Sequence, residues 1–168
     1  MRLLILIVLS FAFIGCATIP VKSSTRLANY NKMIVKNINW KETAVSEITD
    51  KELKQFIDAQ PRLNEIFRIE FAKRIKEVGY FDTLADDSAQ PDSTTLILEP
   101  KIYTLKLGSY MPGATFTGFL KTSEGKMIGS FTAERREMSA HGLETIEILM
   151  KELAEDAAAN MPFTKIVN

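Results

Sequence analysis

The sequence predicts an α+β fold, a two-layer sandwich whose mostly antiparallel sheet carries two main helices on one face. Three observations predict it. Apolar residues recur at helical spacing after Pro61 and again after Gly142. Apolar and polar residues alternate through residues 94–107, 114–122 and 127–138. The last two of these stretches are joined by Ser123-Glu124-Gly125-Lys126, a hairpin turn with the glycine it needs.

The chain opens with MRLLILIVLSFAFIGCA. Arg2 supplies a positive start, and Leu3 to Ile14 is apolar except for Ser10. That run is shorter than the roughly 20 apolar residues a membrane-spanning helix needs, so it reads as the core of a signal peptide. It ends in Phe13-Ile14-Gly15-Cys16. These residues resemble the lipobox of bacterial lipoproteins, with Phe13 and Ile14 bulkier than usual. The resemblance implies that residues 1–15 are removed and that Cys16 is acylated on thiol and amine with fatty acids such as palmitate. Residues 16–31 are then a lipidated cysteine and tether, and residues 32–168 a single α+β domain. Ala17 follows the cysteine where an aspartate would favour the inner membrane. The lipoprotein resemblance therefore implies the outer membrane, with the domain facing the periplasm. Cys16 is the only cysteine, so no intrachain disulfide can form. Two or more acyl chains hold a protein firmly where one does not.

Charge is balanced, with 21 basic and 21 acidic residues, and the lysines and arginines are not gathered in one segment. Nothing in this suggests a polyanion partner, and no nucleic acid is expected. A hydrophobic content of 46% is enough to bury a core.

Residues 18–31, with Pro20 and a Ser-Ser-Thr run, read as the tether. Residues 32–40 are the first strand, with Met33 and Val35 alternating against Ile34, Ile38 and Trp40. Trp40 reads as a residue at the end of the strand, in the core or on its rim. Thr49 and Glu52 have capping-box spacing, so a short helix follows with Leu53, Phe56 and Ile57 on one face. Pro61 opens a longer helix. Its stripe is Leu63, Ile66, Phe67, Phe71, Ile75 and Val78, and Gly79 ends it. Residues 80–84 are a short strand, and residues 85–93 a polar loop. In residues 94–107 Pro100 predicts a bulge, bend or edge position. There Ile102, Thr104 and Lys106 share one face, and Tyr103, Leu105 and Leu107 the other. Phe116, Gly118 and Leu120 point inward from the next strand, and Met127, Phe131 and Ala133 from its hairpin partner. The final helix buries Leu143, Ile146, Leu149, Met150, Leu153, Ala157 and Met161, and Pro162 stops it.

This order of elements resembles uncharacterised bacterial envelope lipoproteins of the DUF4410 type, whose fold is related to the TolB N-terminal domain, LpoB and CsgG. The residues that carry the resemblance are the strand from Met33 to Trp40, Val78-Gly79-Tyr80-Phe81, Leu96-Ile97-Leu98, the turn at Glu124-Gly125-Lys126 and the alanine-rich last helix. The resemblance implies a scaffold or accessory role in the envelope and names no partner. The chain has no long membrane-spanning hairpin of the pore-forming relatives, so it is not expected to form a pore by itself.

Chemistry is thinly represented. His141 is the only histidine, and no Gly-x-Ser-x-Gly motif accompanies it. Zinc needs more His or Cys ligands than the chain supplies. Asp82, Asp86, Asp87 and Asp92 lack calcium-loop spacing and read as a solvated acidic loop. Gly125-Lys126 lacks the rest of a phosphate loop. Glu99 and Glu124 are a possible carboxylate pair of a kind that any acidic domain offers. No catalytic residue, cofactor or metal is therefore expected, and the chain is not expected to be an enzyme. The candidate partner contact is Tyr110, Met111 and Pro112, because Met and aromatic side chains are favoured in interface cores. The first expectation is a non-catalytic outer-membrane lipoprotein that binds another envelope protein. The second is an envelope carrier of a lipid or cell-wall fragment between sheet and helices. Homo-oligomerisation through the open sheet face fits either.

The anchor has a direct test. Cys16→Ser is expected to abolish metabolic labelling with a fatty acid and to release the domain from the membrane fraction; retained label would reject the lipoprotein reading.

Overall fold

The computed structural model describes residues 29–79, 81–107, 111–136 and 143–161. Cys16, the expected signal segment, most of the expected tether, Tyr80, Tyr110, His141 and Pro162 lie outside the described residues. Six strands and two helices follow one another as β1 (Lys32–Val35), β2 (Ala44–Ser46), α1 (Asp50–Val78), β3 (Thr83–Ala85), β4 (Thr95–Lys106), β5 (Gly113–Thr122), β6 (Met127–Arg136) and α2 (Leu143–Ala159). They form an α+β sandwich. The sheet order is β3-β1-β4-β5-β6, with β2 also on β4. The long pairings, β4–β5 and β5–β6, are antiparallel. Three short ones, β1–β3, β1–β4 and β2–β4, are parallel. The first of these exists because α1 lies between its two strands, which is the crossover a parallel pair requires.

α1 is one helix where the sequence predicts two. The Thr49 capping box forms as expected, with Glu52 accepting from the Thr49 N–H and the Thr49 hydroxyl accepting from the Glu52 N–H. Pro61 then sits inside the helix. Phe56, Ala59, Leu63, Phe67, Phe71 and Ile75 are buried along one stripe that runs straight past it. Fully burying one such large side chain is worth about 1.5–3 kcal/mol, so several together outweigh the roughly 3 kcal/mol proline penalty. Pro61 and Ile57 are both exposed, so the Ile57 carbonyl that proline leaves without an amide donor lies on the watered side. Leu53 and Ile57 are accordingly outside the core, contrary to expectation. Gly79 ends the helix at φ 71°, its N–H donating to the Ile75 and Lys76 carbonyls.

β1 is shorter than the predicted strand because Asn64 of α1 pulls the chain off the sheet. Its Oδ1 accepts from the Ile38 N–H at 3.1 Å and from Trp40 Nε1 at 3.2 Å. Trp40 lies on the core's rim, edge-on to Phe56 at 5.3 Å. The chain regains β4 as β2, a strand the sequence reading missed. Pro100 lies opposite the gap between β1 and β2. The Leu98 carbonyl accepts from the Lys36 N–H, and the Ile102 carbonyl from the Thr43 hydroxyl. By the two-residue period Pro100 faces that same side, where no strand asks for its missing N–H.

Of the alternatives expected at Pro100, the local edge position is the one found, and the bulge in β4 falls at Tyr103. The register with β5 shifts between Ile102 and Thr104, which flips the faces. Ile102, Leu105 and Leu107 are buried together, and Tyr103 is exposed. A second shift, between Leu120 and Lys121, does the same in β6. Phe131 and Ala133 point inward as expected, but Ile128 replaces Met127 against the core and Met127 is 49% exposed. In α2, Ile146, Leu149, Met150, Leu153, Ala154, Ala157 and Ala158 are buried.

The acidic loop is solvated, as expected, with Asp86, Asp87 and Asp92 exposed, and it also forms a strap across β1. Lys32 and Lys36 reach from the face of β1 that carries Ile34, the face away from the helices. Lys32 Nζ donates to the Gln90 carbonyl at 3.2 Å, and Lys36 pairs with Asp87 at 2.5 Å. The Asn37 N–H also donates to Asp87. Ile34, between the two lysines, has 0% exposure. Asp92 closes the strap where β4 begins. Its Oδ1 accepts from the Thr95 hydroxyl, the Thr94 hydroxyl and the Thr94 N–H. Those bonds, the Thr95 hydroxyl first, hold the Asp92 carboxyl below its ordinary pKa. Asp86 is lowered likewise by the Ser88 hydroxyl and N–H.

Two outcomes follow. A Cβ at Gly118 would stand 2.5 Å from Phe131 Cζ and 2.9 Å from Leu98 Cδ1. Gly118→Ala is expected to cost about 1–3 kcal/mol by overpacking, read as a lower urea midpoint at unchanged slope. An unchanged midpoint would mean the ring has room to move. Asp92 has a folded pKa below its unfolded one, so its contribution is complete above the unfolded value, about 3.9, and is lost as pH falls through the folded value. Asp92→Asn keeps an acceptor oxygen but not the charge. Wild type should exceed it in stability at neutral pH and lose that margin in the acid limb; a margin constant with pH would reject the charge's role.

Candidate functional site

The described part of the expected contact is Met111 and Pro112. Pro112 is buried and presents no surface, whereas Met111 is 44% exposed. Met111 lines a groove of about 470 Å³ with Glu47, Thr104, Lys106, Glu134 and Arg136. The sheet register builds it. One cross-strand row runs Thr104, Thr115, Glu134, and a neighbouring row runs Ser46, Lys106, Gly113, Arg136. The Thr104 hydroxyl donates to the Thr115 hydroxyl at 3.0 Å, tying β4 to β5 beneath the groove.

Gly113 keeps that second row close. A Cβ there would stand 3.0 Å from the Arg135 carbonyl oxygen and 3.2 Å from Arg136 Cγ, so its absence leaves the Arg136 side chain room to lie across β5. Glu47, at the end of β2, has φ 58°, a left-handed conformation that a non-glycine residue adopts at a cost. Its carboxylate lies 3.8 Å from Lys106 Nζ, and Arg136 pairs with Glu134 at 2.7 Å. Exposed ion pairs of this kind are worth about 0–1 kcal/mol, so a partner can exchange them for its own at little cost. The groove thus sets one exposed thioether among re-pairable charges of both signs. Sequence reasoning located Met111 and missed the rest, because Glu47, Lys106 and Arg136 meet only through the pairing of β2, β4, β5 and β6.

Elsewhere on the outer face charged groups pair with one another. Lys101 pairs with Glu42 and lies 4.6 Å from the Tyr103 ring centroid. The Glu42 carboxylate holds the Lys101 ammonium above its ordinary pKa. Glu99 pairs with Lys121, while Glu124 lies in the β5–β6 turn. Glu99 faces Phe119 in the register, well short of that turn, so these two carboxylates are not brought together. Asp86, Asp87 and Asp92 are held by the strap's own partners. Among the described residues no group of three or more His, Cys, Asp or Glu is placed to hold a metal ion. A second groove, of about 380 Å³, lies between the C-terminal halves of the helices. It is lined by Glu70, Lys73, Arg74, Glu77, Glu155 and Asp156, with Arg74 paired to Glu77 at 2.9 Å. Among the described residues no helix is long and apolar enough to cross a membrane.

No family model matches the chain, and no curated protein matches it. Solved structures do. A PelC dodecamer from Paraburkholderia phytofirmans is 17% identical, with 76% of this chain and 89% of that chain covered, at a TM-score of 0.43. A DUF330 protein from Xanthomonas campestris is 10% identical, with 77% and 82% covered, at a TM-score of 0.47. A minor lipoprotein from Acinetobacter baumannii is 14% identical, with 77% and 87% covered, at a TM-score of 0.38. The chain is similar to these in the course of its backbone, and the similarity assigns no role to any of its residues.

Proposed function

We propose that this chain is a non-catalytic lipoprotein of the bacterial envelope, held to the outer membrane through Cys16, that works by binding another envelope protein at the Met111 groove. The observation that carries the reading is the groove itself. Met and Arg side chains are enriched at protein interfaces, and the weakly committed charges around Met111 and Arg136 match the polar rim of such a contact. The lipobox-like Phe13-Ile14-Gly15-Cys16 supports the location. The interior counts against carriage of a small ligand. Phe56, Phe67, Phe71 and Phe116 fill the space between sheet and helices with less than 2% exposure each, and Phe131 occupies the room over Gly118.

A photo-crosslinking residue at position 111 in cells is expected to give one recurring envelope-protein adduct. Its yield should fall sharply when Lys106 and Arg136 are both changed to Glu. Adducts scattered over many proteins, or a yield indifferent to the charge reversal, would reject the groove as the contact.

A further inference from the structure

Residues 17–31 lead from Cys16 to β1, and β1 joins the sheet at Lys32. Lys32 pairs with Thr95, and the next residue of β4, Leu96, pairs with Thr122. The tether therefore reaches the domain at the end of the sheet that carries the β5–β6 turn. Two strand spacings separate Lys32 from Thr122, about 10 Å. Met111 lies at the opposite end of β5, about 30 Å away at the rise of a strand. The end of the domain that meets lipid first is the turn end.

That end presents an apolar side chain that the fold turns outward. Met127 opens β6 directly after the turn and is 49% exposed. The register shift that seats Ile128 against the core is what faces Met127 to solvent. Lys126 is exposed beside it, and Lys121 stands opposite it in the ladder. Gly125, at φ 82°, keeps the turn tight, with the Gly125 N–H donating to the Thr122 carbonyl. A flexible thioether held out next to an ammonium matches the boundary between phosphates and acyl chains. Glu124, in the same turn, repels phosphate and keeps such a contact shallow.

We propose that the β5–β6 hairpin tip, led by Met127 and Lys126, rests in the headgroup region of the membrane that holds Cys16, so that the Met111 groove faces away from that membrane. The inference rests on the lipid-anchor reading. A lipid anchor alone sets no orientation; a second, shallow contact at the tip selects one.

The test uses the full lipidated chain in vesicles of phosphatidylethanolamine and phosphatidylglycerol containing a headgroup spin-labelled lipid. Cys16 is the only native cysteine, so a cysteine placed at 127 or 111 carries the fluorophore alone once Cys16 is acylated. Quenching is expected to be several-fold greater for Met127→Cys than for Met111→Cys. With the fluorophore on Ser123→Cys, adding Met127→Asp should reduce quenching to the level seen at position 111. Equal quenching at both positions, or stronger quenching at 111, in a chain that floats with the vesicles would overturn the orientation. A wild-type chain that does not float with them would overturn the anchor reading, and this inference with it.

Discussion

The fold turns on the space over Gly118. Phe131 of β6 lies across the bare backbone of β5 there and meets Phe116 at 5.8 Å between ring centroids. Phe116 in turn meets Phe67 of α1 at 5.2 Å, and Phe67 stacks on Phe71 at 5.8 Å. One run of rings joins the last strand, its neighbour and the long helix. It sets how closely α1 approaches the sheet and therefore where Asn64 can reach. From Asn64 follow the break after β1, the placing of Trp40 and the late return of the chain as β2.

The two faces of the sheet are held by different forces. The helix side is apolar and close-packed, and both helices lie on it running the same way. Arg62 meets Glu147 at 2.8 Å, and both helices' C-terminal halves line one groove. The far side is tied by exposed pairs such as Lys101 with Glu42 and Glu99 with Lys121. An exposed pair contributes about 0–1 kcal/mol, while one buried phenylalanine contributes about 1.5–3 kcal/mol. Stability resides in the helix layer, which leaves the outer face and its ends available for binding. Edge pairing is restrained on the β6 side, where Asn160 Nδ2 donates to the Thr132 carbonyl and blocks the middle of that strand.

The ends of the sheet differ in chemistry as well as position. The turn end is where β1 begins, and it carries Met127 with Lys126 beside it. The other end carries Met111 within ion pairs of both signs. Unlike ends suit the proposed arrangement, in which one end rests at a lipid surface and the other is offered to a protein.

Much of this was legible in the sequence because it is local. The Thr49 capping box, the Gly79 stop, the stripes of α1 and α2 and the Gly125 turn each depend on residues within a few positions of one another. The tertiary structure decided everything that needed a distant partner. Register shifts at Tyr103 and Ile128 arise from fitting β4, β5 and β6 to one another, and each reverses which side chains face the core. Pro61 is carried through a helix because residues on both sides of it pack on the same sheet. The parallel pairings of β1, β2 and β3, the strap over Ile34 and the charges around Met111 all join segments far apart in the chain. Periodicity marks which residues want burial, but only strand pairing decides which of them obtain it.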